Sequence, residues 1–588
     1  MTRKEFELLY HIFKHGIQSV RKIQEETGLS IGFASQAMKK LGNLGCIDQN
    51  GITAAGLEAL SPYRVDNAII MAAGMSSRFV PLSLEKPKGL LTVKGEVLIE
   101  RQIEQLRAAG IQEIVLVLGY KKEAFFYLED KYPGLTILIN PEYHMKNNPH
   151  TLYLARKYLK NTYICSSDDY FSVNPFEAYV YRSYYAAIHV HEKTNEWYMI
   201  PDSRMNIAAV KKHGTDGYIM LGHVYWDRGF SEAMKSLLCA DHDVGNYNGV
   251  VWEQILADHC RTLPAMEIRV YPNASIFEFD SLEELRAFDE NYVYHTHSRI
   301  MRNICSLFDC GESDIQGFRI LNGGLTNTSF VFTVFGKEYV YRHPGEGTEQ
   351  IISRTHEKKA LELARGAGID PTFLFMDADE GWKISSYIPG IRKPDYSSFE
   401  DSKRIVSVLR KLHRQKLSVD WEFNPWEAAC NIERILRTEK GGIADSSFDN
   451  LKGAVRRCYE KTQGDGVEKC FCHCDTYAPN WMLTEDQTIL IDWEYSGNAD
   501  PGCDLGTYIM DSMWQTPEAE AFIREYCQEA YSEKLKIHFL AYTAIVSYYW
   551  YVWALYREAC GAVMSESLYN WHLMAKRYSQ YLIQEYGL

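Results

Sequence analysis

The chain has 588 residues, 46% of them hydrophobic and 24% charged, with a formal net charge of −14 at pH 7. At roughly 150 residues per domain, this length predicts about three or four domains, and the negative charge argues against a broad nucleic-acid-binding surface. We find neither a signal-peptide pattern nor an apolar run long enough to cross a bilayer, and the 14 cysteines form no CxxC pair. These features favour a cytoplasmic protein with reduced thiols and no membrane insertion.

Residues 1–62 contain three short amphipathic segments, then a hairpin-like stretch around Asn50-Gly51 and a further helix. This order resembles a winged helix-turn-helix of the MarR type. The resemblance implies that the third helix would contact DNA through Ser35, Gln36, Lys39 and Lys40. With only seven basic and six acidic side chains in the segment, its charge is low for DNA binding, so a docking or dimerising module is the alternative.

Residues 63–293 alternate between apolar strands such as "NAIIMAAG" and "EIVLVLGY" and helices such as "LIERQIEQLRAAG". This alternation predicts an α/β, Rossmann-like domain with a mixed, mostly parallel sheet and helices on both faces. Ligands of such folds bind at the carboxyl ends of the strands.

A loop of small residues follows the first of these strands, in "MAAGMSSRFVPLSLEKPKGLL". Backbone amides in such a loop can wrap a triphosphate, which makes nucleotide-binding candidates of Ala72, Ala73, Gly74, Met75, Ser76 and Ser77. Arg78 and Lys88 add cations that would stabilise charge during attack on the α-phosphate. Together with "EKPKGLL", the loop resembles the signature of the sugar-nucleotide and phosphocholine cytidylyltransferase family, in which a second glycine commonly stands at the position of Ser76.

The resemblance also implies a metal site. In the family, one Asp after a central strand and one late in the domain grip Mg²⁺ on the triphosphate, which here points to Asp168, with Asp169 as alternate, and to Asp280. Carboxylate oxygens suit this hard cation. Asp280 also precedes "SLEELRAF", so an N-terminal helix cap is its alternative role.

The acceptor pocket is predicted from aromatic residues. Trp197, in "NEW", and Trp252 could bind a quaternary ammonium group by cation–π attraction, and the "NEW" stretch resembles bacterial phosphocholine cytidylyltransferases. Packing in the core is the alternative for each tryptophan. Asn148 and Thr151 are the candidates for the nucleotide base pocket.

Residues 296–588 begin with β-rich sequence and continue as mainly helical sequence, the layout of a bilobal, protein-kinase-like α+β domain. "HCDTYAPN" and "ILIDWEY" carry the chemical residues: Asp475 would accept the proton of an attacking hydroxyl, while Asn480 and Asp492 would hold Mg²⁺ on ATP. His473 would brace the loop and Asp504 would anchor it. A metal site made of Cys472, His473 and Cys474 is disfavoured because successive side chains point apart.

Upstream residues complete this pattern. The glycine-bearing hairpin "LNGGLTNTSF" would cover the phosphates with Gly323, Gly324 and Asn327, and Arg342 would pair with Glu357 on the next helix. Together these motifs resemble the choline kinase and aminoglycoside phosphotransferase superfamily, on its choline kinase side.

The choline kinase resemblance extends to the substrate pocket. Trp550 and Trp553 are three residues apart on a predicted helix and therefore share a face, as in the aromatic cage of choline kinases. Glu494 would add negative charge near a trimethylammonium group. The alternative is an aromatic core stripe.

The two resemblances together predict one enzyme that phosphorylates choline with ATP and couples the resulting phosphocholine to CTP, which gives CDP-choline and pyrophosphate. Mg²⁺ is the predicted cofactor, and a homodimer is left open. The alternatives are the same reactions on ethanolamine or a sugar, or a DNA-binding regulator that senses these metabolites.

Overall fold

The computed structural model describes residues 1–243, 249–321, 327–345 and 353–588. These residues form two compact units, Met1–Phe318 and Arg319–Leu588. The predicted division of the first unit near residue 62 stays a prediction. Over the described ranges, every helix is too short or too polar to be a candidate membrane span.

The first unit begins with a small helical module that has the predicted order of three helices, hairpin and helix. Its elements are α1 (Arg3–His15), α2 (Val20–Thr27), α3 (Ile31–Asn43), β1 (Ile47–Asp48), β2 (Gly51–Ile52) and α4 (Ala54–Leu60). Each helix starts at a Ser or Thr whose side chain accepts a backbone N–H of the first turn, namely Thr2, Ser19, Ser30 and Thr53. Such caps satisfy amides that the helix itself leaves unpaired.

The rest of the first unit is an α/β domain. Its strands are β3 (Asn67–Ala72), β4 (Thr92–Val93), β5 (Glu96–Val97), β6 (Glu113–Leu118), β7 (Leu135–Ile139), β8 (Thr162–Ser166), β9 (Tyr170–Phe171), β10 (Tyr184–Val190), β11 (Thr194–Pro201), β12 (Ile207–Gly214), β13 (Gly217–Trp226), β14 (Glu267–Val270) and β15 (Ile276–Phe277). Its helices are α5 (Leu82–Glu85), α6 (Leu98–Ala108), α7 (Tyr127–Lys131), α8 (Asn148–Ala155), α9 (Arg228–Asp243), α10 (Trp252–His259), α11 (Leu282–Phe288), α12 (Asn291–Tyr294) and α13 (Arg299–Phe308).

One nine-stranded sheet organises this domain, in the order β12-β11-β13-β8-β3-β6-β7, with β10 paired to both β13 and β14. Strands β8, β3, β6 and β7 are parallel, whereas β13 runs antiparallel to β8. The sheet is mixed as predicted, but the expectation that it is mostly parallel is wrong: among the described residues four of its strand pairs are parallel and four are antiparallel, because β10 to β13 form antiparallel pairs beside the parallel strands. Alternate residues of β3 enter two different cores, Ile70 on one face and Ile69 on the other. Helices cover both faces of such a buried strand, and its carboxyl end leads into the small-residue loop.

A five-stranded sheet in the order β16-β17-β18-β20-β19 organises the start of the second unit, and β17, β18, β20 and β19 pair antiparallel; its first strand, β16, begins just before the boundary at Phe318. The elements of this part are β16 (Ile315–Leu321), β17 (Thr328–Val334), β18 (Lys337–His343), α14 (Arg354–Gly366), β19 (Phe373–Met376) and β20 (Lys383–Ser386). The remainder is mainly helical: α15 (Phe399–Arg414), α16 (Pro425–Glu439), α17 (Phe448–Thr462), β21 (Cys470–Cys472), β22 (Trp481–Leu483), β23 (Thr488–Leu490), β24 (Gly497–Ala499), α18 (Gly502–Asp511), α19 (Thr516–Cys527), α20 (Glu533–Ala559) and α21 (Ser565–Tyr586).

Helix α20 is the central element of the helical part. It is buried from Phe539 to Ala554 and packs against α16, α17, α18 and α21. A helix that is apolar on all sides is stable in this position, because neighbours cover every face. This packing fixes the predicted aromatic pair Trp550 and Trp553 in the interior.

Candidate active sites

In the first unit, the small-residue loop turns sharply after β3. Ser76 has φ 48° and ψ 46°, in the left-handed region. Glycine adopts this conformation without strain, which explains why a glycine is common here in the family that the loop resembles. Ala72 and Ala73 are buried, whereas Gly74, Met75 and Ser77 are exposed, so the backbone of the turn is open to an anion.

The predicted cations and the predicted metal-binding carboxylates form ion pairs with one another. Lys88 Nζ lies 2.6 Å from Asp168 Oδ2, and Arg78 Nη1 lies 3.0 Å from Asp280 Oδ2. Burial works to lower the pKa of Lys88, but nearby carboxylates, chiefly Asp168, outweigh it and raise the pKa. Lys88 is therefore a firmly charged group beside the loop.

The helix-cap alternative for Asp280 is wrong. The capping side chain of α11 is that of Ser281, which accepts the backbone N–H of Glu284. The side chain of Asp280 instead forms an ion pair with Arg78, which directly follows the small-residue loop. The carboxylate of Asp280 therefore lies beside that loop.

Two further acids, Asp169 and Glu278, lie near the Lys88–Asp168 ion pair. Glu278 was not predicted from the sequence. Within the described part of the chain, neither carboxylate oxygen of the buried Asp169 has a hydrogen-bond partner. Burial raises the pKa of Asp169, whereas Glu278 is exposed and the nearby Asp168 acts to raise its pKa. Buried carboxylates without partners are costly unless a cation neutralises them. The group therefore fits a divalent cation held by oxygen ligands.

Glu278 could have been predicted from the sequence as a site candidate, because it is an acid that directly follows the apolar β15 and precedes Asp280 by two residues. Its proximity to Asp168 comes from tertiary packing, which the linear sequence does not display.

The predicted base-pocket residues serve local structure here. Asn148 Oδ1 accepts the backbone N–H of Trp252 at 2.8 Å, and Thr151 Oγ1 accepts from Asn140 Nδ2 at 3.1 Å. Asn148 lies at the start of α8, and Thr151 is buried within that helix.

The two predicted aromatic walls of the first unit lie in different environments. Trp252 is 2% exposed, stacks on Tyr185 at 5.5 Å between ring centroids and meets Trp226 edge-on at 5.4 Å. Its faces are occupied by core packing, which argues against a role as a ligand wall. Trp197 on β11 is only partly buried, and Lys212 Nζ lies 5.8 Å from its ring centroid, so its ring does accept a cation.

In the second unit, the catalytic-loop residues form a compact hydrogen-bonded group. Asn480 Nδ2 donates to Asp475 Oδ2 at 2.9 Å. His473 Nδ1 accepts the backbone N–H of Asp475, and its Nε2 donates to Ile491 O at 2.9 Å. Asp504 accepts the backbone N–H groups of His473 and Cys474 at 3.1 and 2.6 Å. His473 thus braces the loop and Asp504 anchors it.

The predicted Arg342–Glu357 ion pair is present, at 2.6 Å between Nη1 and Oε1. It belongs to a larger cluster, because Lys383 Nζ lies 3.4 Å from Glu357 Oε1 and 3.1 Å from Asp492 Oδ1. Burial works to raise the pKa of Asp492, but Lys383 and Arg342 outweigh it and lower the pKa. Asp492 is therefore held as a carboxylate, as a metal ligand must be. Sequence reasoning missed Lys383, whose only signal is a lysine between the apolar residues Trp382 and Ile384.

A cavity of about 580 Å³ is lined by Arg342, Lys383, Asp475, Asn480 and Asp492, and aromatic residues form part of its wall. The rings of Trp550 and Trp553 are 5.5 Å apart, and Tyr495 and Trp571 lie 5.2 and 5.7 Å from Trp550. Burial and Asp492 raise the pKa of Glu494 to about 8. The sequence predicted Trp550, Trp553 and Glu494 but missed Tyr495 and Trp571, which come from separate elements.

Asn327 also lines this cavity. Gly323 and Gly324 lie outside the described residues. The oxygen donors of Asn480 and Asp492 suit Mg²⁺, and the neighbouring cations and acids can bind a nucleotide and a positively charged alcohol side by side.

Comparison with known proteins gives each unit relatives. The family described as MobA-like NTP transferase domain matches residues 68–165, and the phosphotransferase enzyme family matches residues 317–538. Choline-phosphate cytidylyltransferase of Streptococcus pneumoniae (strain ATCC BAA-255 / R6) is 32% identical over 223 residues, which are 38% of this chain and 96% of that protein.

Two more relatives differ in what they act on. The 2-aminoethylphosphonate cytidylyltransferase of Lancefieldella rimae is 34% identical over 39% of this chain and 94% of its own length. A crystal structure of choline kinase LicA from Streptococcus pneumoniae is 26% identical, with a TM-score of 0.43, and the match covers 48% of this chain and 98% of that one.

Proposed function

Because the chain belongs to the cytidylyltransferase family that includes choline-phosphate cytidylyltransferase, we propose that it carries out two consecutive reactions. Its second unit phosphorylates choline with ATP, and its first unit couples phosphocholine to CTP. The products are CDP-choline and pyrophosphate. The observation that carries this proposal is that Asp475 and the aromatic residues Tyr495, Trp550, Trp553 and Trp571 line one cavity.

In the kinase reaction, the trimethylammonium group of choline binds between the aromatic rings by cation–π attraction. Its hydroxyl lies toward Asp475, which accepts the proton as the oxygen attacks the γ-phosphorus of ATP and ADP leaves. Asn480 positions the Asp475 carboxylate through their hydrogen bond. Asn480 and Asp492 would hold Mg²⁺, which would neutralise charge on the phosphates. Lys383 and Arg342 keep Asp492 ionised and in place.

In the transferase reaction, a phosphate oxygen of phosphocholine attacks the α-phosphorus of CTP, and pyrophosphate leaves. The amides of the loop after β3, together with Lys88 and Arg78, stabilise the negative charge that develops. Asp168 and Asp280 would hold Mg²⁺, which would add positive charge at the triphosphate. Trp197 is the aromatic contact that we propose for the trimethylammonium group, since its ring is only partly buried and already lies next to one cation, Lys212.

Paired substitutions test the assignment of one reaction to each unit. Asp475→Asn should lower phosphocholine formation by about 100- to 10,000-fold, the usual contribution of a general base, and leave cytidylyl transfer from added phosphocholine unchanged. Asp280→Asn should do the reverse. Products are separated by chromatography after incubation with choline, ATP, CTP and Mg²⁺. Loss of both activities in either folded variant would contradict the two-site assignment.

The choice of acceptor is a separate question, because one relative acts on 2-aminoethylphosphonate. We expect phosphocholine to be preferred over phosphoethanolamine and 2-aminoethylphosphonate in the transferase assay. For the kinase, we expect choline to be preferred over ethanolamine, because a primary ammonium group is strongly hydrated and gains less from aromatic walls. A preference for either primary amine would move the assignment to the ethanolamine version of the same chemistry.

For the N-terminal helices, we propose a winged-helix module that docks on the transferase instead of reading DNA. Phe6 packs against Tyr181 at 5.5 Å and Tyr10 against Tyr179 at 5.7 Å between ring centroids, which joins α1 to the α/β domain. On α3, Lys40 pairs with a glutamate of α1 at 2.6 Å, and this neutralises one of its cations. Salt-sensitive binding of the full chain to duplex DNA would contradict the docking role.

A further inference from the structure

A cluster of thiols lies directly behind the catalytic loop, outside the cavity described above. Cys470 and Cys472 are alternate residues of β21, so their side chains project from the same face of the strand. Their sulfurs are 3.6 Å apart. One ligand atom from each of His413, Cys470 and Cys472 can be chosen so that all three lie within 4.8 Å of one another. His473, by contrast, points away from this cluster, toward Ile491 O.

We propose that His413, Cys470 and Cys472 bind a soft divalent metal ion such as Zn²⁺. Two thiolates on one tetrahedral Zn²⁺, each at about 2.3 Å, lie about 3.8 Å apart, close to the observed separation of the two sulfurs. Cys472 is buried and Cys470 is partly exposed, which provides an entry path. Binding displaces the two thiol protons to solvent, and no bond is oxidised.

The surroundings of His413 support this assignment. Its Nε2 is hydrogen-bonded to Asp504 Oδ2 at 2.9 Å, and its Nδ1 to the hydroxyl of Tyr526 at 2.7 Å. A carboxylate on one ring nitrogen is the usual outer partner of a metal-binding histidine, because it fixes the ring and raises its basicity. Nδ1 is then the nitrogen that faces the ion, with Tyr526 as its present partner.

A disulfide between Cys470 and Cys472 fits the geometry less well. Two residues of a β-strand span about 6.6 Å between Cα atoms, whereas disulfides usually span about 5.5–6 Å and reach about 6.8 Å only at their limit. Chelation keeps the present separation of the two sulfurs, 3.6 Å, whereas a disulfide would have to bring them to about 2.05 Å at a Cα spacing near its upper limit.

The ion would be coupled to the kinase through Asp504. The same carboxylate that holds His413 also accepts the backbone N–H groups of His473 and Cys474, the residues just before Asp475. A bound ion therefore fixes the position of Asp504 and with it the start of the catalytic loop. The expected consequence is a higher midpoint of thermal inactivation for the kinase reaction in the presence of Zn²⁺, with the transferase reaction unaffected.

The test uses the full chain, reduced and freed of metal with a chelator, and titrated with Co²⁺. Thiolate ligation gives a near-ultraviolet charge-transfer band that saturates at one ion per chain and disappears when Zn²⁺ displaces Co²⁺. Cys470→Ser and Cys472→Ser should each lose most of the band, while Cys560→Ser, at an exposed cysteine, should keep it. Retained kinase activity shows that the variants are folded, and Cys470→Ser suffices if Cys472→Ser does not fold.

A second group of metal-binding side chains serves as an internal control. His11, His15 and Glu26 also offer ligand atoms within 4.8 Å of one another, but they include no sulfur and cannot produce a thiolate band. The proposal is overturned if Co²⁺ gives no charge-transfer band with the reduced chain, or if the band survives in Cys470→Ser.

Discussion

Arg342 and Lys383 occupy paired positions on the neighbouring strands β18 and β20, and both contact the same oxygen, Oδ1, of Asp492. Glu357 on α14 joins them from the other side. Arg342 and Lys383 thus share two carboxylates, of which Glu357 is fully buried and also pairs with Arg354, whereas Asp492 is 30% exposed. The cluster links the sheet of the second unit to the residue that we assign to Mg²⁺, so either cation can be tested as a positioning group for Asp492.

Replacement of Lys383 by Met should weaken the kinase reaction alone. We expect kcat for choline phosphorylation to fall by about 100-fold, the usual effect of removing one preorganised electrostatic contact. Because Arg342 still pairs with Asp492, the free energy of unfolding should fall by only about 1–3 kcal/mol. Steady-state kinetics of both reactions and urea unfolding measure these effects. Lys359→Met is the matched control, since Lys359 pairs with Asp420 at the surface; an equal loss there would contradict the assigned role of Lys383.

Trp550 should set the preference for choline over ethanolamine. One desolvated cation–π contact contributes about 0.5–2 kcal/mol, so Trp550→Leu should raise the KM for choline by about 2- to 30-fold. The KM for ethanolamine should change less, because its ammonium group retains hydrogen-bonding partners. Trp550→Phe keeps an aromatic face and should lie between the wild type and Trp550→Leu. An equal rise for both alcohols in Trp550→Leu would show that the residue only supports packing.

How far the sequence predicts such a site depends on whether its residues are close in the chain. Asp475, Asn480 and Asp492 fall within eighteen positions, so their spacing alone predicts the catalytic loop. Lys383 joins them only because β20 pairs with β18. The strand order that decides this contact does not appear in local patterns.

Aromatic residues show the same limit in another form. Trp252 and Trp550 are both buried tryptophans, yet the first packs in a core and the second lines a cavity. Composition and helical spacing are alike for the two roles. What separates them is whether a neighbouring element covers the ring, which only the folded chain determines. The central strands of the first unit, by contrast, could be predicted from the sequence, because a strand that is buried on both faces consists of a continuous run of apolar residues.

Of the two cations beside the small-residue loop, Lys88 and Arg78, we expect Lys88 to contribute more to cytidylyl transfer. Its side chain is 7% exposed, whereas that of Arg78 is 74% exposed, and charge acts more strongly where water is excluded. Lys88→Met should therefore lower the kcat of cytidylyl transfer by about 100- to 1,000-fold, with a smaller effect for Arg78→Met and none on choline phosphorylation. Release of pyrophosphate measures the rate.

Lys160→Met is the control for this prediction. Lys160 precedes the amino end of β8 and pairs with Glu113 at 3.3 Å, whereas Asp168, the partner of Lys88, follows the carboxyl end of the same strand. A large loss of transfer in Lys160→Met, or equal losses in Lys88→Met and Arg78→Met, would contradict a direct electrostatic role of the buried lysine.

His223 should make the first unit sensitive to acid. Its buried ring is hydrogen-bonded to the hydroxyl of Tyr184 at 3.0 Å, and burial, with Arg269, lowers the pKa of His223 to about 3. The unfolded chain binds this proton near pH 6.5, whereas the folded chain binds it only near pH 3. The contribution of the neutral His223 to the free energy of unfolding is therefore complete above pH 6.5 and is lost as the pH falls toward 3. Between these values the free energy of unfolding should fall by about 1.4 kcal/mol per pH unit because of this residue.

His223→Asn removes the titrating group while it keeps a polar side chain. The variant should be less stable than the wild type at pH 7 but should lose stability less steeply between pH 6.5 and 5. Hydrogen exchange of the backbone amides of β13 measures the local stability at each pH, and Tyr184→Phe controls for the lost hydrogen bond, since it should shift the curve without changing its slope. Parallel curves for the wild type and His223→Asn would show that the proton is taken up elsewhere.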